Sequence, residues 1–197
     1  MECDSIAKFI VEYYDENSKL PPYKIEKDKI TINEDFTIPL YIYDILLMSG
    51  RLPSSYKNNL ANVQITSDKG YIDISTGRIK PTRCGGTLLV LTNNIEFKEG
   101  DNGRVIYVMM RKQNRKFLVL SKKIFGILGY AMPKCFEEYI DFDVREILRQ
   151  YGLHSDFKYL FDRLKSSHIV NYKIRTIEWT PFGYLLWKLW KGDINEY

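Results

Sequence analysis

Gly129-Tyr-Ala-Met-Pro-Lys-Cys-Phe-Glu-Glu-Tyr-Ile-Asp-Phe-Asp-Val-Arg-Glu-Ile-Leu-Arg-Gln-Tyr-Gly-Leu153 is the stretch on which the fold turns. Gly129 and Pro133 predict a loop, and the residues from Glu137 onward predict a helix that stops at Gly152. Glu137 is followed, after seven intervening residues, by Arg145-Glu146-Ile147, and then by Gly152-Leu153. The first half of this segment is acidic, with Glu137, Glu138, Asp141, Asp143 and Glu146. Carboxylates near a helix N-terminus complement its macrodipole, which by itself accounts for the aspartates.

Upstream, Gly86-Thr-Leu-Leu-Val-Leu-Thr92 predicts a buried strand. Arg104–Met110 and Phe117–Leu120 predict two more, joined by a tight turn at Lys112-Gln-Asn-Arg115. Gly85-Gly86 then precedes a strand, which does not make a phosphate-binding loop. Downstream, Asp156 caps a helix with Phe157, Leu160, Phe161 and Leu164 on one face. Ile169–Trp179 predicts a strand, and Pro181 starts a last helix carrying Leu185, Leu186, Leu189 and Trp190.

Toward the N-terminus, Ile6, Phe9, Ile10 and Tyr13 form one apolar helix face behind a cap at Asp4 or Ser5, and Pro21-Pro22 ends that unit. Lys24–Ile32 predicts a strand. Pro39 begins a helix with Leu40, Tyr43, Leu46 and Leu47 inward, closed at Ser49-Gly50. Val63–Ile65 and Tyr71–Ile74 alternate around Ser67-Asp-Lys-Gly70, a hairpin pattern. The expected organisation is an N-terminal α/β extension over 1–78 packed on a domain over 79–197, with a small separate module over 1–78 as the alternative.

The totals agree with one sizeable globular unit: 197 residues, 45% hydrophobic and 27% charged. The net charge of +4 permits anionic partners without demanding them. Cys3, Cys84 and Cys135 are an odd, widely spaced set, which is expected to be reduced thiols in an intracellular protein rather than a disulfide framework or a zinc cluster. Charges at Glu2, Asp4 and Lys8 break any signal-like run, and no stretch approaches the ~20 apolar residues of a membrane span. The expected location is cytoplasmic, with the nucleus also open. Abundant Ile, Lys, Tyr and Asn suit an AT-rich genome such as that of a large DNA virus, a parasite or a low-GC bacterium.

The spacing Glu137, Arg145-Glu146-Ile147, Gly152-Leu153 resembles the Nudix box, G-x5-E-x7-R-E-U-x-E-E-x-G-U with U aliphatic. The resemblance covers Lys80 to Tyr197 and implies an α/β fold of α+β type: a mixed sheet with flanking helices, the box helix on one face. In that family the arginine pairs with the early glutamate, positions here held by Arg145 and Glu137. The late glutamates hold Mg²⁺ or Mn²⁺ against a diphosphate, because a hard cation wants several oxygen ligands. Here those two glutamates are replaced by Arg149 and Gln150, and the leading glycine falls at Ala131, two residues after Gly129. A guanidinium cannot usefully deprotonate. At roughly 5 Å and an effective dielectric of about 20 it repels each unit of metal charge by a few kcal/mol. The resemblance thus implies a pseudoenzyme with no cofactor and no metal site, in which Arg149 and Gln150 meet phosphate directly through forked hydrogen bonds.

Three functions follow. The first is a non-catalytic binding protein that recognises nucleotide or RNA phosphate, or a protein partner. Arg111, Lys112, Arg115 and Lys116, with Lys122 and Lys123 around Tyr107 and Phe117, make its candidate basic patch. A solvated hairpin tip is the plainer account of those charges. The second is a metal-dependent hydrolase of a nucleoside diphosphate linkage in a nucleotide derivative or RNA cap, with Glu137 and Glu146 catalytic and help from Glu96, Glu99 or Glu178. The third is a structural or host-interaction scaffold, with Trp179, Trp187 and Trp190 as contact residues; core packing of these aromatics is the plainer account. No membrane partner is expected, and a homodimer is left open. His154 and His168 are the only histidines, and His154-Ser155-Asp156 are sequence neighbours rather than a triad.

Overall fold

The computed structural model describes residues 2–140, 149, 157–173 and 175–194. The chain is mixed α and β, with seven α-helices and four small antiparallel sheets among the described residues. The mixed sheet expected from the resemblance is not found among them, since every described pairing is antiparallel.

Helix α1 (Glu2–Asn17) buries Ile6, Ile10 and Val11. It is followed by strands β1 (Tyr23–Ile25), β2 (Lys29–Ile32) and β3 (Phe36–Pro39) in one meander. The single strand expected over Lys24–Ile32 is thus two strands, turned back at Glu26, whose N–H donates to Lys29 O at 2.8 Å. Helix α2 (Leu40–Leu46) starts one residue later than expected, with Pro39 as its extended N-cap and the last residue of β3. Helix α3 (Leu60–Asp68) replaces the first strand of the expected hairpin. Alternation over three residues does not distinguish a strand from a helix turn, and Gln64 donating to Asp68 at i,i+4 supports the helix. Its second strand survives as β4 (Ile72–Asp73), paired with β5 (Lys80–Pro81).

Helix α4 (Arg83–Leu91) overturns the strand expected at Gly86–Thr92. Thr82 caps it, its hydroxyl accepting from Gly85 N at 3.2 Å. Every residue from Cys84 to Leu91 is buried, so α4 shows no amphipathic period and its apolar run is that of a central helix. Gly85 and Gly86 lie in its first turns. A Cβ on Gly86 would meet the Phe182 ring at 2.3 Å, so the glycine is what lets the C-terminal helix lie against α4. Cys3 and Cys84 are joined by a disulfide with their Cα atoms 5.6 Å apart, which corrects the expectation of reduced thiols. The bond follows from α1 lying on α4, a proximity that a separation of 81 residues conceals.

The hairpin expectation over 104–120 holds. Strands β6 (Ile95–Gly100), β7 (Val105–Met110) and β8 (Arg115–Ser121) form an antiparallel sheet in the order β6-β7-β8, with a bulge beside Val108 and Met109. Helix α5 (Lys122–Ala131) then stands where a loop was expected. Ser121 caps it, and Ile124, Phe125, Ile127 and Leu128 give it an apolar face. Gly129 is inside this helix, and a Cβ there would meet the Trp187 ring at 2.0 Å. Its role is close helix packing.

Glu137 and Glu138 lie outside any helix, and Tyr139–Ile140 is strand β9, paired with Thr176 and Ile177. This corrects the helix expected from Glu137, since sheet pairing takes the backbone at 139–140. Arg145, Glu146, Ile147, Gln150, Gly152 and Leu153 lie outside the described residues. Helix α6 (Phe157–Ser166) agrees with expectation. The strand expected over Ile169–Trp179 is a hairpin of β10 (Val170–Lys173) and β11 (Thr176–Trp179). Helix α7 (Pro181–Trp190) closes the fold, capped by Thr180 with Pro181 in its first turn.

Residues from both sides of position 78 enter one hydrophobic core, in which Ile6, Ile10, Leu89, Phe125, Trp179 and Phe182 are almost fully buried. Tyr184 OH donates to Asp15 at 2.6 Å and ties α7 to α1. Burial first, and then that bond, push the Tyr184 phenol up. No helix among the described residues is long and apolar enough to cross a membrane.

Candidate functional site

The expected basic patch separates into unlike parts. Lys112 is exposed in the turn after β7. Arg111 is half-buried and donates to Ile95 O at 3.4 Å. Arg115 turns inward, its Nε donating to Ser49 O at 2.8 Å and its Nη2 to Leu47 O at 3.0 Å. Those carbonyls lie just past α2, where helix ends leave acceptors unmet, so Arg115 is a structural cap that ties β8 to α2. Lys116 points elsewhere, its Nζ 4.7 Å from the Tyr107 ring centroid.

Lys116 borders a cleft of about 310 Å³ that joins three distant parts of the chain. One wall is the outer side of β8, from Lys116 to Val119. A second is Gly50 with Arg78, Ile79 and Lys80, and a third is the end of α6, with Arg163, Ser166 and Ser167. Arg78, Lys80, Lys116 and Arg163 all line it, and no carboxylate does among the described residues. Like charges gathered in one recess raise the local concentration of anions.

Local geometry holds these cations in place. Gly50 has φ +92°, the left-handed region open to glycine, and its N–H donates to Ile79 O at 2.8 Å. A Cβ at Gly50 would lie 2.9 Å from Lys116 O, so this glycine lets the loop after α2 close on β8. Arg78 donates to Gly50 O at 3.0 Å, and Arg163 lies 5.7 Å from the Tyr159 ring. Burial, and then the charge of Arg51, lower the proton affinity of the Arg115 guanidinium behind the cleft. Asp73 lies opposite Lys80 in the β4–β5 ladder but is engaged by the Ser75 hydroxyl at 2.6 Å and by His168 Nε2 at 3.2 Å. Burial raises the Asp73 pKa, and the bonds from Ser75 and His168 outweigh it and keep the group ionised.

A smaller slot of about 90 Å³ continues the cleft, sharing Val119, Arg163 and Ser167 with it. Val105, Ile124, Leu160 and Leu164 make that end apolar.

Of the expected patch residues, Lys116 and Phe117 are the ones that line this cleft among the described residues. Arg149 is helical and exposed, while Gln150 and Glu146 are outside the described residues. Glu137 is exposed. No group of three or more His, Cys, Asp or Glu that could hold a metal occurs among the described residues. Trp179 and Trp187 are core residues, 1% and 4% exposed, rather than contact residues. Trp179 donates to Met132 O at 2.7 Å, and the half-buried Trp190 packs on Phe97. Arg78, Lys80 and Arg163 were missed. The one local signal was the pattern Arg78-Ile79-Lys80, in which two cations flank a buried apolar residue and so share a face. No family model, curated protein or solved structure matches this chain, so the Nudix resemblance rests on residue spacing alone.

Proposed function

We propose that this protein is a non-catalytic binding protein that recognises a partner bearing several negative charges in the cleft between β8, β5 and α6. The class includes the phosphates of a nucleotide or RNA and the carboxylates of a protein. The observation that carries this is the lining: Arg78, Lys80, Lys116 and Arg163 stand around one recess, with no acid among the described residues that line it. Arginine forks and lysine ammonium groups bind phosphate and carboxylate alike. Among the described residues the same lining offers two serines and no histidine, cysteine or carboxylate to relay a proton, which favours binding over chemistry at this place.

The test is anisotropy titration with labelled single-stranded RNA and with labelled polyglutamate, each at low and high salt. The double variant Arg78→Glu/Arg163→Glu should weaken whichever polyanion binds, and added salt should do the same. Binding of both that ignores the charge reversal, or binding of neither, refutes the proposal.

A further inference from the structure

We infer that the cleft and its slot take an extended acidic peptide, which adds to the edge of β8 that no described strand occupies, as a fourth strand of the β6-β7-β8 sheet. This rests on the anion-binding role proposed above and names the partner. The phase of the ladder supplies the first ground. Lys122 N donates to Arg104 O at 3.0 Å, and Arg111 N to Asn94 O at 2.7 Å. Because hydrogen-bonded pairs alternate in antiparallel sheets, the even-numbered residues of β7 bond to β8 and the odd-numbered ones to β6. Leu118 and Leu120 therefore spend their backbone groups on β7. Val119 turns both its N–H and its C=O outward, and Ser121 turns its N–H outward. Both residues line the slot; the Ser121 hydroxyl accepts from Ile124 N–H as the cap of α5, and no described backbone group beyond the sheet bonds to Val119.

Position supplies the second ground. The recess follows β8 from Lys116 to Ser121, a run of roughly 17 Å at ~3.4 Å per residue. Its far wall is α6. A strand edge facing a helix across a groove is the geometry in which added strands dock, with backbone bonds giving affinity and pockets reading alternate side chains. Protein sheets usually protect such an edge.

Chemistry selects the occupant. The slot of about 90 Å³ equals about three waters at ~30 Å³ each, close to the volume of one branched aliphatic side chain. The other end presents Arg78, Lys80, Lys116 and Arg163 to carboxylates a few residues along the same peptide. Donors and acceptors at strand spacing match a peptide backbone. A sugar-phosphate backbone would meet the cations and leave the Val119 groups without partners.

The experiment uses the full chain with a labelled peptide of alternating glutamate and valine. Two companions are the same peptide N-methylated at alternate amides and single-stranded RNA of equal charge. The expected result is binding by the parent peptide, about tenfold weaker on N-methylation through loss of two backbone bonds. A further loss should follow from Arg163→Glu. Because N-methylation leaves the protein untouched, misfolding cannot produce that outcome. Equal binding of the N-methylated peptide overturns strand addition. RNA binding that depends on Arg163, with no peptide binding, also overturns it but leaves the anion-binding role standing. Absence of binding by either overturns both.

Discussion

Two glycines three residues apart, Gly126 and Gly129, test the placement of α5. Each lies in the same helix, and each becomes alanine by gaining one methyl group. At Gly126 nothing lies within 4 Å of the new Cβ. Alanine there should stabilise by about 0.5–1 kcal/mol, the helix-propensity difference from glycine. At Gly129 the new Cβ would sit 2.0 Å from Trp187 Cε2 and 2.3 Å from Cδ2 and Cζ2. That ring is 4% exposed and packed edge-on to Phe125 at 5.4 Å, so it has little room to withdraw. Overpacking costs typically 1–3 kcal/mol, and a contact this short belongs at the upper end. Less the propensity gain, Gly129→Ala should destabilise by about 2 kcal/mol. For a chain of this length each kcal/mol moves Tm by about 2–4 °C. Gly129→Ala should therefore lower Tm by about 4–8 °C, while Gly126→Ala raises it by about 1–4 °C. Urea titration followed by circular dichroism gives the same comparison at constant temperature. If the two variants shift together, or Gly129→Ala is the more stable, then α5 does not pack on α7 as described. A loop at Gly129 would again be the better account.

Other consequences are independent. Denatured protein without reductant should expose one thiol to Ellman's reagent, Cys135, and with reductant three; three without reductant would disprove the Cys3–Cys84 bond. Reduction should destabilise by at most about 4–5 kcal/mol, the chain-entropy value for a closed loop of 81 residues. Arg115→Ala should cost about 1–3 kcal/mol by orphaning the Ser49 and Leu47 carbonyls. Lys112→Ala, in an exposed turn, should stay within about 0.5 kcal/mol, and equal effects would refute the division of the patch. The hydrogen bond from Arg83 lowers the Asp4 pKa below its ordinary 3.8, with burial opposing. A depressed carboxylate stabilises above its ordinary value and loses that contribution as pH falls through the lower folded value. Urea midpoints of the wild type should hence fall more steeply than those of Asp4→Asn below about pH 5, and parallel curves would show the pair to be inert.

Local signals were legible where they were complete within a few residues. The turn at Lys112–Arg115 lies between two apolar runs, and both strands form. Pro181 after Thr180 starts α7, and Ile6 and Ile10 line the buried face of α1, because caps and helical periods are properties of one turn or two. Gly86–Thr92 misled because a helix buried on all sides and a buried strand leave the same apolar run. Gly129 misled for a related reason. A glycine can mean backbone freedom or a missing Cβ, and only the ring of Trp187 tells which. Tyr139–Ile140 became strand rather than helix because β11, some 37 residues later in the chain, offers hydrogen bonds there.

The sequence by itself determined the α-and-β character, the three-stranded hairpin sheet's β7–β8 pair, the C-terminal helices and the location of most core residues. These depend on propensities, caps and periods that a short segment carries alone. Tertiary structure decided the pairing of Cys3 with Cys84 and the inward turn of Arg115. It also decided the gathering of Arg78, Lys80, Lys116 and Arg163 around one recess. Each of these joins residues far apart in the chain. Their proximity is set by how α1, α4, α6 and the sheet pack, which no local pattern encodes. The segment from Gly129 to Leu153 shows both sides. Its residue spacing is visible in the sequence, but whether Gly129 bends a loop or admits a tryptophan was settled by a helix more than fifty residues away.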